Sequence, residues 1–208
     1  MTTPLGTLSV DRREARRVTL SRRTRETDIT LTLDLDGAGA ADVRTGVGFY
    51  DHLLGSLAHH ALFDLAIRAA GDLDVDEHHT VEDVALVLGG ALAEALGERA
   101  GIARFGDAAV PMDEALATAV VDVGGRPCAV LDIPFRGERI GALPTQLVEH
   151  ALEAFARTSG LTLHLRASGR NDHHVAEAAF KALARALRAA VALDPRRNGA
   201  ASTKGSPG

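Results

Sequence analysis

Histidines stand in two copies of one pattern, which is the feature of the chain best suited to chemistry. In the first half, His52 follows an aspartate, and the segment His78-His79-Thr80-Val81-Glu82 begins 26 residues after it. In the second half, His150 follows a glutamate, and the segment His173-His174-Val175-Ala176-Glu177 begins 23 residues after it. Each half therefore carries an acidic residue with a single histidine and then a His-His-x-x-Glu motif.

These residue types at this spacing favour a metal site. Residues three and four apart share one face of a helix, whereas adjacent histidines point about 100° apart and can serve two metal centres. Imidazole and carboxylate ligands suit Mn, Fe, Co, Ni or Zn. We expect two sites, each with three histidines, one glutamate and open coordination positions. The eight predicted ligands are His52, His78, His79, Glu82, His150, His173, His174 and Glu177.

A single His-His-x-x-Glu segment would more simply be a solvated helix start, with its acid favoured by the helix dipole. The second copy, with the third histidine in the same order, favours the metal site instead. His59 and His60 have no counterpart in the other half, and His164 lies in an alternating segment. For these three histidines a structural role is the better prediction.

Composition restricts the remaining functions. The net charge of −5 gives no reason to expect a nucleic-acid partner, and no apolar run is long enough to span a membrane. The one cysteine, Cys128, excludes an internal disulfide and is expected in the core. The polar, arginine-rich start lacks a secretory signal, so a cytoplasmic protein is expected. Neither a glycine-rich phosphate loop nor a G-x-S-x-G motif is present.

The elements that must position the histidines repeat along the chain. Period-two alternation predicts strands around residues 18–35, 43–47, 65–69, 116–123, 128–133 and 161–167, and helical spacing predicts helices over 49–60, 80–96, 145–158 and 173–193. The order of strands, helix, strand and helix then occurs twice. We predict an α+β fold of two fused, pseudo-symmetric half-domains, each a mostly antiparallel sheet with helices packed on one face. The predicted parts are a flexible leader over 1–16, half-domains over 17–97 and 98–195, and a tail over 196–208.

Several segments resemble imidazoleglycerol-phosphate dehydratase, from about residue 16 to the C-terminus. Besides both His-His-x-x-Glu motifs they are Arg22-Arg23-Thr24-Arg25-Glu26-Thr27-Asp28-Ile29, Thr45-Gly46-Val47-Gly48-Phe49-Tyr50-Asp51-His52, Arg104-Phe105-Gly106-Asp107, Pro111-Met112-Asp113-Glu114 and Ser202-Thr203-Lys204-Gly205. The resemblance implies dehydration of imidazole glycerol phosphate to imidazole acetol phosphate in histidine biosynthesis. It also implies two Mn²⁺ ions per site and a homo-oligomer of 24 subunits with sites at subunit contacts.

The implied chemistry fits the residues. Metal ions that hold the substrate ring as an imidazolate would let its electrons expel the hydroxyl group, and a positioned acid or base would move the proton on carbon. By resemblance Glu26 has that role, as acid, base or both; by itself it would be a surface salt-bridge partner. The resemblance assigns the substrate phosphate, which needs cationic donors, to Arg104, Arg126, Lys181, Ser202 and Lys204, and the tail would contribute to this phosphate site.

Some positions depart from the family pattern. Gly48 replaces an expected proline, Gly55 and Ser56 stand where an acid and an amide are common, and the loop over 135–145 is short. None of these changes removes a predicted ligand. Two other functions remain open: a non-catalytic dinuclear metal storage or sensing protein with the same ligands, and a metal-dependent hydrolase. Storage needs neither Glu26 nor the phosphate donors, and a dimetal hydrolase would need bridging carboxylates, so the dehydratase is favoured.

Overall fold

The computed structural model describes residues 6–203. Within that range the helices are α1 (Gly48–Ala61), α2 (His78–Leu96), α3 (Thr145–Ser159) and α4 (Asp172–Val191). The strands are β1 (Leu8–Glu14), β2 (Arg17–Arg23), β3 (Thr27–Asp34), β4 (Ala41–Arg44), β5 (Asp64–Gly71), β6 (Phe105–Met112), β7 (Ala115–Asp122), β8 (Cys128–Asp132), β9 (Arg139–Ile140), β10 (Leu143–Pro144) and β11 (Thr162–Ser168).

The two halves repeat one topology. One sheet has the strand order β1-β2-β3-β5-β4, and the other has the order β6-β7-β11-β8. Each sheet is antiparallel except for one parallel pair, β4 with β5 and β8 with β11, and each of these pairs is joined through a helix. Apart from strand β1 in the first half and the short β9–β10 pair in the second, the halves match strand for strand, so the predicted α+β fold of two mostly antiparallel sheets is confirmed.

The helices lie between the two sheets. Alternation in the strands turns side chains such as Ile29 and Leu31 inward, where α2 packs on β2 and β3, while α4 packs on β6 and β7. The helices also pack across the halves, α2 on α3 and α1 on α4. Gly89 permits the close α2–α3 contact, because a Cβ atom there would lie 2.5 Å from the carbonyl oxygen of Phe155. This cross-packing brings residues of the two halves to common sites.

The structure corrects several expectations. The predicted leader over 1–16 is wrong for residues 8–14, which form β1 and pair antiparallel with β2, with one irregularity in register between Val10 and Arg12. Strand β6 was not predicted, because its inward positions are mostly small residues and only Gly106 is fully buried, so the alternation is weak. Cys128 is exposed, not buried, because it lies on the outward face of the edge strand β8. The short 135–145 segment contains the β9–β10 hairpin.

No helix within residues 6–203 combines the length and apolar character that a membrane crossing requires. The outer faces of the sheets carry mixed polar and apolar side chains. On the second sheet Phe105, Leu116, Val120 and Val130 are exposed among polar neighbours.

Candidate metal centre

One cluster combines His52 with His173 and Glu177. The carboxylate oxygen Oε2 of Glu177 lies 3.3 Å from Nε2 of His52 and 3.2 Å from Nε2 of His173. The two imidazole rings are 5.8 Å apart, and Phe49 packs beside both of them. Three atoms that can bind a metal therefore lie within 4.8 Å of one another.

A second cluster combines His78 and Glu82 with His150. Oxygen atoms of Glu82 lie 3.9 Å from Nε2 of His78 and 3.5 Å from Nε2 of His150, and the two rings are 4.8 Å apart. Like the first, this cluster offers two imidazole nitrogens and one carboxylate within 4.8 Å. The two clusters are pseudo-symmetric counterparts.

Each cluster takes residues from both halves of the chain. The single histidine of the first half, His52 on α1, joins the motif on α4, and His150 on α3 joins the motif on α2. The reason is the packing of α1 on α4 and of α2 on α3. The sequence predicted these residues as ligands but did not indicate which ones come together.

The second histidine of each motif turns away from the cluster. The rings of His78 and His79 are inclined at 84°, and those of His173 and His174 at 86°. Nδ1 of His79 is 3.0 Å from Oδ2 of Asp72. Nδ1 of His174 is 2.8 Å from Oε2 of the carboxylate of Glu114. Neither His79 nor His174 belongs to a metal-type cluster among residues 6–203, and His59, His60 and His164 do not either.

These carboxylate contacts change the protonation equilibria. The hydrogen bond that His79 donates to Asp72 raises the pKa of His79, and the one that His174 donates to Glu114 raises the pKa of His174. In return, the hydrogen bond with His174 and the backbone N–H groups of Arg170 and Asn171 lower the pKa of Glu114 from 4.5 to about 2. Glu114 is therefore a carboxylate at neutral pH, and His174 must be the hydrogen-bond donor.

Both cluster carboxylates also contact a basic side chain. Lys181 lies 2.8 Å from Glu177, and Arg157 lies 3.3 Å from Glu82. Burial tends to raise the pKa of Glu177, but hydrogen bonds from Lys181 and His52 outweigh it, so the net shift is downward. An ionised carboxylate is the form that binds a divalent cation.

The residues present fit a metal ion. Nε2 of His150 is buried and has no hydrogen-bond partner, although it points toward His78 and Glu82. Buried polar atoms normally have a partner, and a bound ion is one explanation for an exception. Imidazole nitrogen with carboxylate oxygen, and no thiolate, suits a borderline or hard divalent ion.

Glu26 lies at a turn that is fastened to the helix of the first motif. It occupies the turn between β2 and β3, and its backbone oxygen accepts a hydrogen bond from the N–H group of Asp72, the partner of His79. Buried Asp83 on α2 accepts hydrogen bonds from Thr27 at 2.5 Å and from Arg22 at 3.1 Å. The turn is thus held beside the histidine pair, and the Glu26 carboxylate remains exposed.

The predicted phosphate donors do not form a single group within the described chain. Arg104 makes a double hydrogen bond to Asp122 at 2.7 and 3.0 Å, and Arg126 lies 3.9 Å from the same carboxylate. The tail reaches this place, since Arg104 also donates to the backbone oxygen of Ala201, beside Ser202. Lys181 instead contacts Glu177, and Lys204 lies outside the described residues.

Several site residues carried no signal of their own in the sequence. Asp72, Asp83, Glu114 and Asp122 are isolated acids whose partners lie on other elements, so only the tertiary contacts reveal them. Asp83 directly follows the first His-His-x-x-Glu motif, and Glu114 ends the segment Pro111-Met112-Asp113-Glu114 before β7. That position was the one available indication.

Comparison with known proteins gives a consistent result. The profile of the family described as imidazoleglycerol-phosphate dehydratase matches residues 45–187. A protein of that name from Methanoculleus marisnigri is 57% identical over 89% of this chain and 96% of its own length. Another, from Dinoroseobacter shibae, is 54% identical over 92% of this chain and 99% of its own length.

Solved structures agree with the sequence relatives. A crystal structure of imidazoleglycerol-phosphate dehydratase from Pyrococcus furiosus has a TM-score of 0.77 at 35% identity, covering 89% of this chain and 99% of that one. The enzyme of the same name from Staphylococcus aureus has a TM-score of 0.75 at 35% identity, covering 80% of this chain and 95% of that one.

Proposed function

The chain belongs to the imidazoleglycerol-phosphate dehydratase family, and we propose that it is a hydro-lyase that converts D-erythro-imidazole glycerol phosphate to imidazole acetol phosphate in histidine biosynthesis. The observation that carries the metal-dependent form of this proposal is the pair of His₂Glu clusters, each assembled from both halves. The buried Nε2 atom of His150 makes no hydrogen bond and lies 3.5 Å from the Glu82 carboxylate, where a metal ion would satisfy both groups.

Two Mn²⁺ ions per active site are part of the proposal. His52, His173 and Glu177 would hold one ion, and His78, Glu82 and His150 the other. When bound, such ions supply Lewis-acid activation and orientation of the substrate ring, favouring its imidazolate form. His79 and His174 present their Nε2 atoms away from these clusters and would complete sites shared with another subunit.

Glu26 is proposed as the catalytic acid or base that moves the proton on carbon. Its carboxylate is exposed and makes no side-chain hydrogen bond or ion pair within residues 6–203. A proton-transfer group must be free to approach its substrate, so this lack of a partner supports the assignment. The anchoring of its turn by Asp83 would limit the positions it can take.

The phosphate would be held by Arg104, Arg126, Lys181, Ser202 and Lys204. The backbone N–H of Arg104 binds the oxygen of Ala190, near the end of α4, whereas His173 begins that helix. The two ends are about 25 Å apart at the rise of an α-helix. The three-carbon chain of the substrate cannot bridge that distance, so Arg104 and the metal ion at His173 in one site would come from different subunits. Lys181, in contrast, lies beside the cluster of its own chain, 2.8 Å from Glu177. This supports sites at subunit interfaces. The proposed assembly is a homo-oligomer of 24 subunits, and the proposed location is the cytoplasm.

The proposal is tested by removing and restoring the metal. We expect the stripped protein to have no turnover of imidazole glycerol phosphate and to regain turnover with Mn²⁺. The reason is that the imidazole and carboxylate groups of each cluster are metal ligands and cannot replace the ion as a Lewis acid. His52→Ala and His150→Ala should each lower the bound Mn²⁺, measured by elemental analysis, whereas His164→Ala on the exposed face of β11 should not.

The outcomes separate the candidate functions. Full turnover by an intact, metal-free assembly would contradict the metal-dependent mechanism. A storage or sensing protein would bind Mn²⁺ without turning over this substrate, and Glu26→Gln would then have no measurable effect on it.

A further inference from the structure

Two strands that lead to the histidine motifs are equivalent between the halves. They end in Arg68-Ala69-Ala70-Gly71 and in Arg166-Ala167-Ser168-Gly169. Each glycine packs against the motif that follows: a Cβ atom on Gly71 would lie 2.0 Å from Oγ1 of Thr80, and one on Gly169 would lie 2.7 Å from Cγ2 of Val175. Since Thr80 and Val175 directly follow their histidine pairs, His79 and His174 are structural counterparts.

The preceding turns are equivalent as well. In the first half the N–H group of Thr24 binds the oxygen of Thr27, which leaves a two-residue turn ending in Glu26. In the second half Met112 pairs with Ala115, which leaves a two-residue turn ending in Glu114. Glu26 and Glu114 therefore occupy the same place beside equivalent histidines.

The carboxylates that contact these histidines, however, come from different places. His79 uses Asp72, the residue after Gly71. The residue after Gly169 is Arg170, which has no carboxylate, and there Glu114 makes the contact instead. Glu26 makes no such contact within the described chain.

We propose that Asp72 and Glu114 are positioning residues that perform the same task for His79 and His174. Each holds the Nδ1–H group of its histidine and so presents Nε2 as a metal ligand. Because Asp72 already holds His79, the carboxylate of Glu26 is not needed for that contact. The inference rests on the proposed metal binding by His79 and His174. It deepens that proposal by assigning the same task to non-equivalent positions in the two halves.

The physical basis is the tautomer of the imidazole. A neutral ring has one protonated nitrogen, and a carboxylate that accepts from Nδ1–H leaves the lone pair of Nε2 available to a metal. Glu114 is itself fixed, since its Oε1 accepts from the N–H groups of Arg170 at 3.0 Å and Asn171 at 2.8 Å, while its Oε2 faces His174.

Glu114→Gln is the decisive variant. Its amide oxygen should remain on the two backbone donors, because an NH₂ group there would face other N–H groups. The NH₂ group must then face Nδ1 of His174, which favours the tautomer that carries the proton on Nε2. We expect a loss of Mn²⁺ affinity of about 10–100-fold in one class of sites, measured by calorimetric titration of the stripped, assembled protein.

Three further variants provide matched comparisons. Glu26→Gln changes the equivalent position and should leave Mn²⁺ affinity unaltered. Asp72→Asn can keep an acceptor oxygen on His79 only if its NH₂ group takes the buried place of Oδ1, which has no hydrogen-bond partner, so a loss of affinity between those of Glu26→Gln and Glu114→Gln is expected. Asp72→Ala removes the acceptor, so a loss of about 10–100-fold is expected there.

The outcomes distinguish this inference from the function beneath it. If the unaltered protein binds no Mn²⁺, the proposed function fails, and the inference fails with it. If the unaltered protein binds Mn²⁺ and Glu114→Gln binds it equally well, only the inference is overturned. A lower melting temperature of metal-free Glu114→Gln with unchanged affinity would also overturn it, because Glu114 would then serve only the fold.

Discussion

Replacing Asp83 by alanine should both destabilise the first half and misplace the proposed proton-transfer group. The Asp83 side chain is 9% exposed and makes an ion pair with Arg22, whose side chain is 18% exposed. It also accepts a hydrogen bond from buried Thr27 at 2.5 Å. The substitution therefore leaves a guanidinium group and a hydroxyl group without their partner, at the base of the turn that carries Glu26.

The magnitude follows from these contacts. Breaking a buried ion pair costs about 3–5 kcal/mol, and the partial exposure of Arg22 places this case near the lower limit, at about 3 kcal/mol. For a chain of this size about 1 kcal/mol corresponds to a shift of about 2–4 °C, so the melting temperature should fall by roughly 6–12 °C. Asp28→Ala is the matched control, because the exposed Arg23–Asp28 pair at 3.6 Å is worth at most about 1 kcal/mol.

The first assay is thermal unfolding of both variants in the metal-free state, monitored by circular dichroism. The second is turnover of the reconstituted variants at a temperature where both are folded. We expect Asp83→Ala to show the larger fall in melting temperature and also a lower kcat, since the Glu26 turn loses its anchor. Equal melting temperatures for the two variants would refute the reasoning, and so would an unaltered kcat in an Asp83→Ala protein that is destabilised as stated.

Glu26→Gln should lower kcat by about 10²–10⁴-fold at an unchanged melting temperature, because its carboxylate has no side-chain partner to lose; substantial remaining turnover would contradict its role. Arg104→Lys should raise KM for the phosphorylated substrate by about tenfold or more, since a lysine cannot keep the double hydrogen bond to Asp122 that fixes the position of the cation; an unchanged KM would remove Arg104 from the phosphate site. The pKa of Glu114 is lowered from 4.5 to about 2, so its contribution to stability is present above pH 4.5 and is lost as the pH falls toward 2. Melting temperatures of the metal-free protein should therefore fall less steeply over that range in Glu114→Gln than in the unaltered protein.

The sequence by itself determined the ligand types and the repeat. Period-two and helical spacing depend on local geometry, so they revealed β3, β7, α2 and α4 and placed both His-His-x-x-Glu motifs at helix starts. The same local rules gave no warning that residues 8–14 pair with β2. That pairing depends on a neighbouring strand and not on a strong alternation within the segment.

Only the tertiary structure decided which residues share a cluster. His52 and Glu177 are 125 positions apart in the chain, and they come within 3.3 Å because α1 packs on α4. The different carboxylates beside His79 and His174 are likewise invisible in the sequence, since Asp72 and Glu114 stand at unrelated positions. Residue types and spacing specify which atoms can bind a metal. Tertiary packing of helices and turns specifies which of those atoms meet and which carboxylate makes no contact with a histidine. These contacts join distant parts of the chain through burial, and short spacing patterns carry no information about that.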